Sequence, residues 1–404
     1  MAHIQPFAAL RPRPDLAARI CELPYDVMSS TEARDAAGDN PLSFLHVSKP
    51  EIDLPATVDV CDPRVYAKGR ENFNRLLAGG ALRQDPQPYF YLYRLRMGLH
   101  SQTGLVAVAS CQDYRNGIIK KHELTRADKE DDRARHIEAL NSQTGPVLLF
   151  YRAAKELDEF TARLAAERPD TDFTAKDGIG HCSWTLRDPA AIQFVKDAFE
   201  RIPCLYIADG HHRSAAAARV DQARGGSGES AFFLSVIFPH DQMQILPYHR
   251  VLKDLNGLTP ARLLKQLEAV FVLTPGGPPL PAAPHELGFY LGGAWRRLRF
   301  RPEICGAGEL VERLDVSLLQ ERVLAPIFGI DDPRTSRRLH FVGGIRGPAA
   351  LEKMVDTNEY ACAFALFPAR VEDLMAVADA GGVMPPKSTW FEPKLRDAMF
   401  CHML

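Results

Sequence analysis

Two segments of the chain combine residue types that could carry out acid–base chemistry and bind phosphate. The first runs from Lys120 through His122-Glu123 to His136, and the second is Asp209-Gly-His-His-Arg-Ser214. A carboxylate just ahead of a helix is favoured by the positive end of the helix and can act as a general base. A strand that turns through glycine into a helix presents backbone N–H groups to an anion. Together the segments predict proton transfer beside a phosphate.

The first segment supplies the candidate catalytic residues. A helix is expected from Thr125, where Thr125-x-x-Asp128 resembles a capping box, with Gly145-Pro146 as its stop. Residues three, four and seven apart then share one helical face, which is polar here where a core helix would be apolar. The candidates are Glu123, His122, Lys129, Arg133 and His136. The alternative is a solvated face with routine ion pairs.

The second segment supplies the candidate nucleotide-binding residues. Gly210 permits close approach of the backbone to a ligand, and an arginine at the turn can bind phosphate oxygens with two parallel hydrogen bonds. The candidates are Asp209, Gly210, His211, His212, Arg213 and Ser214. The alternative is that Asp209 caps the helix and the histidines are satisfied surface groups.

Several well-known motifs are excluded by the residues themselves. The position at which a zinc protease would need its second histidine after His122-Glu123 is Arg126. The glycine turn matches neither the P-loop nor the dinucleotide-binding pattern. No metal-ligand set is therefore assigned, and Mg²⁺ is expected to arrive with the nucleotide.

Polar residues in the N-terminal part and in two C-terminal loops are candidates for substrate binding. In the loops, arginine, lysine and hydroxyl groups interleave with glycine and proline, which suits an anionic ligand in a cleft. The candidates are Tyr25, Asp26, Ser43, His46, Arg334, Thr335, Lys387, Ser388 and Thr389. Each could instead organise a turn or carry a surface charge.

The surrounding elements predict a mixed fold. Apolar spacing indicates a helix from Val65 to Leu77 that stops at Gly79-Gly80, and a β-hairpin follows from Tyr89. From residue 147, strands and helices alternate. The fold class is therefore α/β (α+β), with an N-terminal segment over 1–84, a catalytic domain over 85–252 and a C-terminal α/β domain over 253–404.

Composition narrows the class of function. The 404 residues include 49 lysines and arginines against 51 acidic residues, so the net charge of -2 argues against a nucleic-acid partner. The eight cysteines are scattered, which indicates reduced thiols rather than a disulfide framework or a zinc ribbon. With neither a secretory signal nor an apolar stretch of bilayer length, we expect a cytoplasmic protein without a membrane partner.

Six motifs together resemble the bacterial family of unknown function numbered 1015, over nearly the whole chain. They are Leu23-Pro-Tyr-Asp-Val27, the Asn40-Pro41 to Glu51 run, His122-Glu123 to His136, Ala208-Asp-Gly-His-His-Arg213, Asp332-Pro-Arg-Thr335 and Met384 to Lys394. The family name records no activity.

The central region is also similar to the free-serine kinases that share the ParB/sulfiredoxin fold. The similarity rests on His122-Glu123 and on Gly210-His-His-Arg213. It implies a ParB/sulfiredoxin-like catalytic domain in which Glu123 takes a proton from a small hydroxyl substrate, free L-serine first, while Gly210, His212 and Arg213 surround the phosphates of ATP or ADP. In-line transfer would then depend on positioning and on charge neutralisation by Mg²⁺ with Arg213 or Lys129.

Two other classes stay open. A nucleotide-binding regulatory protein of the ParB type would need a basic DNA-binding helical module, which the sequence does not display. A metal-dependent hydrolase would use Asp209, His211, His212 and His136, although adjacent histidines rarely face one metal ion. Whether the chain forms a homodimer is not decided by the sequence.

Overall fold

The computed structural model describes residues 1–306 and 309–404, and the chain divides into two compact units. Unit 1 contains Met1–Met243 and Pro393–Leu404, and unit 2 contains Gln244–Glu392. The boundaries at residues 84 and 252 stay sequence-based predictions, and in this division the last residues of the chain return to unit 1. No short-range pattern signals such a return.

Unit 1 is built on a nine-stranded mixed sheet with the order β6-β11-β8-β12-β5-β4-β10-β9, and β1 pairs with β5. The β11/β6 and β12/β8 pairs are parallel, and the other pairs in this sheet are antiparallel. The strands before the second unit are β1 (Ile4–Gln5), β2 (Leu10–Pro12), β3 (Leu82–Gln84), β4 (Phe90–Met97), β5 (His100–Ser110), β6 (Ile119–Lys120), β7 (Ser142–Gln143), β8 (Val147–Tyr151), β9 (Thr171–Thr174), β10 (Gly180–Leu186), β11 (Leu205–Asp209) and β12 (Phe232–Pro239).

The helices of unit 1 begin where local chemistry satisfies their first N–H groups. Asp62 accepts from the backbone N–H of Arg64 at the start of α4, and Asp188 does the same for Ala190 at the start of α8. The helices are α1 (Ala17–Ile20), α2 (Ser30–Ala37), α3 (Leu45–Ser48), α4 (Pro63–Ala78), α5 (Cys111–Arg115), α6 (Ala127–Leu140), α7 (Lys155–Leu164), α8 (Pro189–Phe199) and α9 (His211–Ala223).

The core of unit 1 lies between the sheet and its helices. Leu149, Ile207 and Ala216 are fully buried in one apolar cluster, and they come from β8, β11 and α9. Because α9 is rich in alanine, it can pack close to the strands, which fixes the position of the glycine turn at its start.

Unit 2 carries a six-stranded antiparallel sheet with the order β15-β17-β16-β19-β14-β18 and a separate β13/β20 pair. Its strands are β13 (Gln244–Leu246), β14 (Tyr248–Leu252), β15 (Phe271–Pro275), β16 (Glu286–Leu291), β17 (Ala294–Phe300), β18 (Leu339–Gly343), β19 (Cys362–Leu366) and β20 (Trp390–Glu392). Its helices are α10 (Pro260–Leu267), α11 (Pro302–Cys305), α12 (Asp315–Leu319), α13 (Gly347–Asp356) and α14 (Val371–Asp379), and β21 (His402–Met403) returns to unit 1.

The mixed α/β class predicted from the sequence is confirmed, and so are the helix that became α4, the hairpin β4/β5 and the strand β8. The capping box at Thr125 is wrong. The N-cap of α6 is Arg126 without a side-chain cap, and the Thr125 hydroxyl donates to Glu130 instead. The stop is also earlier than Gly145-Pro146, because Asn141 ends α6 in the left-handed conformation. Among the described residues, no helix is both long and apolar enough to cross a bilayer.

Candidate functional site

The two chemical segments meet at one edge of the large sheet. Strand β6 pairs in parallel with β11, with Ile119 opposite Leu205 and Lys120 opposite Tyr206. Because the carboxyl ends of parallel strands point to the same edge, the residues after Lys120 and after Asp209 emerge side by side. His211 Nδ1 consequently lies 3.9 Å from Glu123 Oε2, although the two residues are far apart in sequence.

The turn between β11 and α9 depends on glycine. Gly210 has a φ of 97°, and a Cβ atom there would lie 3.1 Å from Arg213 Nε. Helix α9 extends for 13 residues from this turn, and its first N–H groups have no acceptor within the helix. The Ser214 hydroxyl donates back to the carbonyl of His211. The turn thus has the backbone form that an anion-binding helix start requires.

His122 and His211 are buried against each other beneath Glu123. Their ring centroids are 4.5 Å apart in an edge-to-face arrangement. Burial lowers the pKa of His122 to about 4, opposed by the nearby carbonyl of Ile207 and the charge of Asp209. Burial also lowers the pKa of His211 well below its usual range. Both imidazoles are therefore neutral at neutral pH, while the Glu123 side chain is 49% exposed.

Arg213 is held inside unit 1 by acceptors from three segments. Its guanidinium donates to the carbonyl of Pro146 and lies 3.5 Å from Asp209 Oδ2 and 3.9 Å from Asp26 Oδ2. The two carboxylates raise the pKa of Arg213 against the opposing effect of burial. A phosphate that used this arginine as predicted would have to displace these carboxylates.

The returning C-terminal segment completes this charge cluster. Lys394 Nζ lies 3.3 Å from Asp209 Oδ2. Although burial alone would raise the pKa of Asp209, the charges of Lys394 and Arg213 outweigh it and hold that pKa well below the usual range. Further along the segment, Arg396 Nε donates to His181 Nε2 at 3.1 Å, which requires the proton of that neutral imidazole to reside on Nδ1.

Asp397, the one acidic residue in the segment 393–404, has a strongly raised pKa. Burial and the charge of Asp26 raise its pKa to about 7, against the opposing charges of Arg213 and Arg133. Asp397 is also the closest side chain to Gly145, where a Cβ atom would lie 2.6 Å from its Oδ1. Sequence analysis missed this residue, and the only signal was its position three residues after Lys394 in a polar segment.

A cavity of about 40 Å³ lies behind Arg213 in unit 1 and is lined by Tyr25, Arg133, His136 and Asp397, among others. The Arg133 guanidinium stacks on the Tyr25 ring with its carbon 3.8 Å from the ring centroid. His136 Nε2 donates to the carbonyl of Val47 at 2.8 Å, and burial lowers the pKa of His136 to about 4. These predicted residues come together, but in the interior rather than beside Glu123.

The other predicted residues of unit 1 have separate contacts. Lys129 is exposed on α6. His212 Nε2 accepts the backbone N–H of Arg126 at 3.2 Å, which ties α9 to the start of α6. Ser43 donates to Glu22, and His46 contacts Asp53 at 2.7 Å. The structure therefore places Ser43 and His46 in contacts that brace the N-terminal helices.

The metal set considered from the sequence is not assembled. His136 donates to the carbonyl of Val47, while His211 contacts His122 edge to face. Within residues 1–306 and 309–404, the group of three side chains that offer ligand atoms within 4.8 Å of one another is His122, Glu123 and His211. The helical zinc-protease spacing, which His122-Glu123 does not fit, gives no indication of this grouping, because His211 comes from a different strand–turn–helix segment.

Unit 2 brings its two predicted loops to one cleft of about 290 Å³. The cleft is lined by Arg250, Asp331, Asp332, Arg334 and Pro385, among others. Arg334 pairs with Asp332 at 3.0 Å. Lys387 Nζ lies 5.3 Å from the centre of the Tyr248 ring, Thr335 Oγ1 contacts the carbonyl of Asp332, and Ser388 donates to the carbonyl of Pro385 beside Thr389. Arg250, which sequence analysis missed, is 4% exposed.

The mixed sheet and its carboxylate–histidine edge define a protein of the mixed α/β class. Residues 4–317 match the family described as protein of unknown function (DUF1015). The chain belongs to this family, as its motifs predicted. No curated protein matches the chain.

Solved structures provide weak similarities. A free serine kinase in complex with AMP is 15% identical with a TM-score of 0.35, over 71% of this chain and 86% of that chain. A C-terminally truncated SbnI from Staphylococcus aureus is 13% identical with a TM-score of 0.38, over 72% and 85%. A conserved hypothetical protein from Pyrococcus furiosus is 15% identical with a TM-score of 0.35, over 72% and 93%. Scores this low support no argument about activity.

Proposed function

We propose that the protein is a phosphotransferase that moves a phosphoryl group from ATP or ADP to the hydroxyl of a small molecule. The observation that carries the proposal is the meeting of Glu123 with the glycine turn, at 3.9 Å from His211. A partly exposed carboxylate then stands where a hydroxyl compound can reach it, next to a helix start suited to phosphate.

In the proposed reaction, the acceptor oxygen attacks the terminal phosphorus of the nucleotide in line with the leaving oxygen. A phosphorus–oxygen bond forms to the acceptor, the bond to the leaving nucleotide breaks, and the hydroxyl proton passes to Glu123. The first N–H groups of α9 hold phosphate oxygens and orient the nucleotide. His122 and His211, which burial keeps neutral, contact each other next to Glu123 and add no charge beside the base.

The charge cluster behind the turn has a positioning role in this proposal. Asp209 is fixed between Lys394 and Arg213, so the last residue of β11 cannot swing into the space before α9. Mg²⁺ bound to the nucleotide supplies the charge neutralisation that phosphoryl transfer needs. Lys129, exposed on the neighbouring helix, is a further candidate for that charge.

Free L-serine is the first acceptor to test, because the motif similarity at His122-Glu123 and Gly210–Arg213 is to serine kinases. The candidate substrate residues Tyr25 and Asp26 belong to the same charge cluster as Arg213. Arg334 lines the cleft around Arg250, which supports it as a ligand contact of unit 2. Thr335, Lys387, Ser388 and Thr389 stay proposed contacts from the same two loops.

The test is a Glu123→Gln variant assayed with ATP and with ADP against a panel of hydroxyl compounds that begins with serine. Glutamine keeps the size of the side chain but cannot accept the proton, so turnover should fall about 10²- to 10⁴-fold. Nucleotide binding, followed as a rise in melting temperature, should persist. The matched control is Glu138→Gln, an exposed α6 residue paired with Arg224.

Three results would change the conclusion in different ways. Full turnover in Glu123→Gln would remove Glu123 as the base. Nucleotide binding without transfer to any hydroxyl compound would favour the regulatory alternative of the ParB type. No nucleotide binding by the wild-type protein would refute the proposal.

A further inference from the structure

We propose that His122, Glu123 and His211 form a binding site for a divalent transition-metal ion. Each offers one ligand atom, and the three atoms lie within 4.8 Å of one another. The set combines two imidazoles and one carboxylate, and these donors suit Zn²⁺, Mn²⁺, Fe²⁺ or Co²⁺ better than a hard cation that prefers only oxygen. This inference goes beyond the proposed phosphoryl transfer and does not rest on it.

The first support is the lack of hydrogen bonds inside the cluster. Both ring nitrogens of His122, and Nε2 of His211, are buried without a hydrogen-bond partner of acceptable geometry. His122 is 2% exposed and His211 is 5% exposed. A buried polar atom without a partner costs on the order of 1–3 kcal/mol, so even with the Ile207 carbonyl near one nitrogen of His122, an unpaired nitrogen in each of two touching rings needs an explanation. A metal ion would satisfy one nitrogen of each ring.

The second support is the surroundings of His122. The carbonyl of Ile207 lies close enough to the ring to raise its pKa against the effect of burial. Metal-binding histidines generally direct their second nitrogen to a backbone carbonyl or a carboxylate, which fixes the ring orientation. Ile207, on β11, is placed to serve as that outer partner.

The geometry requires only a small closure. Ligand atoms around a tetrahedral zinc ion with bonds of about 2.0–2.1 Å are separated by roughly 3.4 Å, which is less than the present spread. The Glu123 side chain is half exposed and can approach the buried rings, whereas the rings are fixed by packing. Three protein ligands leave a position open to solvent, as in catalytic rather than structural zinc sites.

Glu123 cannot bind a metal ion and act as the general base at the same time. The carboxylate cannot accept a proton with the lone pair that it donates to a metal ion. If both proposals hold, a transition-metal ion should inhibit phosphoryl transfer that is supported by Mg²⁺. If only the metal site exists, the ion still binds in the absence of nucleotide and acceptor.

The experiment is a titration of the chelator-treated full-length protein with Co²⁺ alone, followed by calorimetry and visible absorption. We expect one ion per chain, with an absorption spectrum typical of nitrogen and oxygen ligands at low coordination number. His122→Gln and His211→Gln should each weaken binding by more than the roughly 10- to 100-fold that loss of an outer partner costs. The control His240→Gln, whose Nδ1 accepts the N–H of Ala153, should bind as the wild type does.

Because the two histidines are buried, their variants could be misfolded, and two further measurements avoid that difficulty. Glu123→Ala changes a half-exposed side chain and should lose the ion while its melting temperature without metal stays close to that of the wild type. Proton NMR of the wild type with Co²⁺ should shift the ring signals of two histidines. No binding by the wild type below millimolar concentration, or undiminished binding by Glu123→Ala, would overturn the site and leave the phosphotransferase proposal untouched.

Discussion

The two units each bury an arginine, and the two arginines have opposite surroundings. Arg213 in unit 1 is flanked by the carboxylates of Asp26 and Asp209, which raise its pKa. Arg250 in unit 2 donates to the backbone carbonyls of Tyr248 and Lys387, and burial lowers its pKa to about 9. Within residues 1–306 and 309–404, no carboxylate forms an ion pair with Arg250.

The difference separates a positioning charge from a charge suited to binding. The charge of Arg213 is already balanced inside the fold by the exposed Asp26 and the part-buried Asp209, so its removal would leave Asp209 with Lys394 as its cationic partner. The charge of Arg250 is compensated by two backbone carbonyls and by the Phe341 ring, whose centre lies 4.8 Å from the guanidinium carbon, and it faces a cleft of about 290 Å³. An anion in that cleft could accept a charge-assisted hydrogen bond from Arg250, because no carboxylate of the described residues forms an ion pair with it.

Substitution of each arginine in turn tests this difference between the two units. Arg213→Met should lower the free energy of unfolding of unit 1 by about 1–3 kcal/mol, because the part-buried Asp209 loses one of its two cationic partners and the buried carbonyl of Pro146 loses its donor. Urea unfolding monitored by hydrogen exchange in β8 and β11 measures the loss. The control is Arg219→Met on the same helix, an exposed residue paired with Asp131, which should cost at most about 1 kcal/mol. Equal losses of unfolding free energy in Arg213→Met and Arg219→Met would show that Arg213 does not stabilise the charge cluster.

The acid nearest this cluster gives a pH-dependent prediction. The pKa of Asp397 is about 7 in the fold, above its value in the unfolded chain. The folded state therefore binds more protons than the unfolded state between about pH 4 and 7, and the contribution of Asp397 to stability is lost as pH rises through that window. In Asp397→Asn this loss disappears. As pH rises from 4 to 7, the unfolding free energy of Asp397→Asn minus that of the wild type should therefore increase by up to about 1.4 kcal/mol per pH unit.

Subtracting the wild-type stability curve from that of Asp397→Asn removes the contribution of the buried histidines and leaves that of Asp397. His136 and His181, whose pKa values are lowered to about 4 and about 3, are present in both proteins and give the opposite slope. Parallel stability curves from pH 4 to 7 would show that Asp397 is ionised in the fold.

The smallest effect on stability is expected for Arg250→Met. Removal of a buried charge that has no ionic partner relieves its desolvation, which offsets the two lost hydrogen bonds, so stability should change by less than about 1 kcal/mol. Pyrophosphate should raise the melting temperature of the wild type and of Arg213→Met by more than that of Arg250→Met, which keeps only the proposed phosphate site at the start of α9. An equal rise in all three proteins would show that the cleft around Arg250 does not bind the anion.

Local patterns were sufficient for the elements that carry the site. Periodicity predicted α4 and β8, and the glycine between Asp209 and His211 predicted the turn into α9. The meeting of Glu123 with His211 depends on the parallel β6/β11 pair, and β6 has only two residues, which is too short for a pattern to predict. Asp397 and Arg250 were missed because burial of a charge depends on tertiary packing, to which a single polar letter gives no clue.

The return of residues 393–404 to unit 1 has a consequence for synthesis. The backbone N–H and carbonyl of Cys401 are hydrogen-bonded to the backbone carbonyl and N–H of Leu10. His402 pairs with Gln143 in a short antiparallel ladder. On the ribosome, unit 2 is synthesised before Lys394 and Asp397 are, so unit 1 must wait with its charge cluster incomplete. Nascent chains would therefore reach their final state only after translation has passed the inserted unit, and until then the fold around Arg213 is exposed to chaperones and proteases.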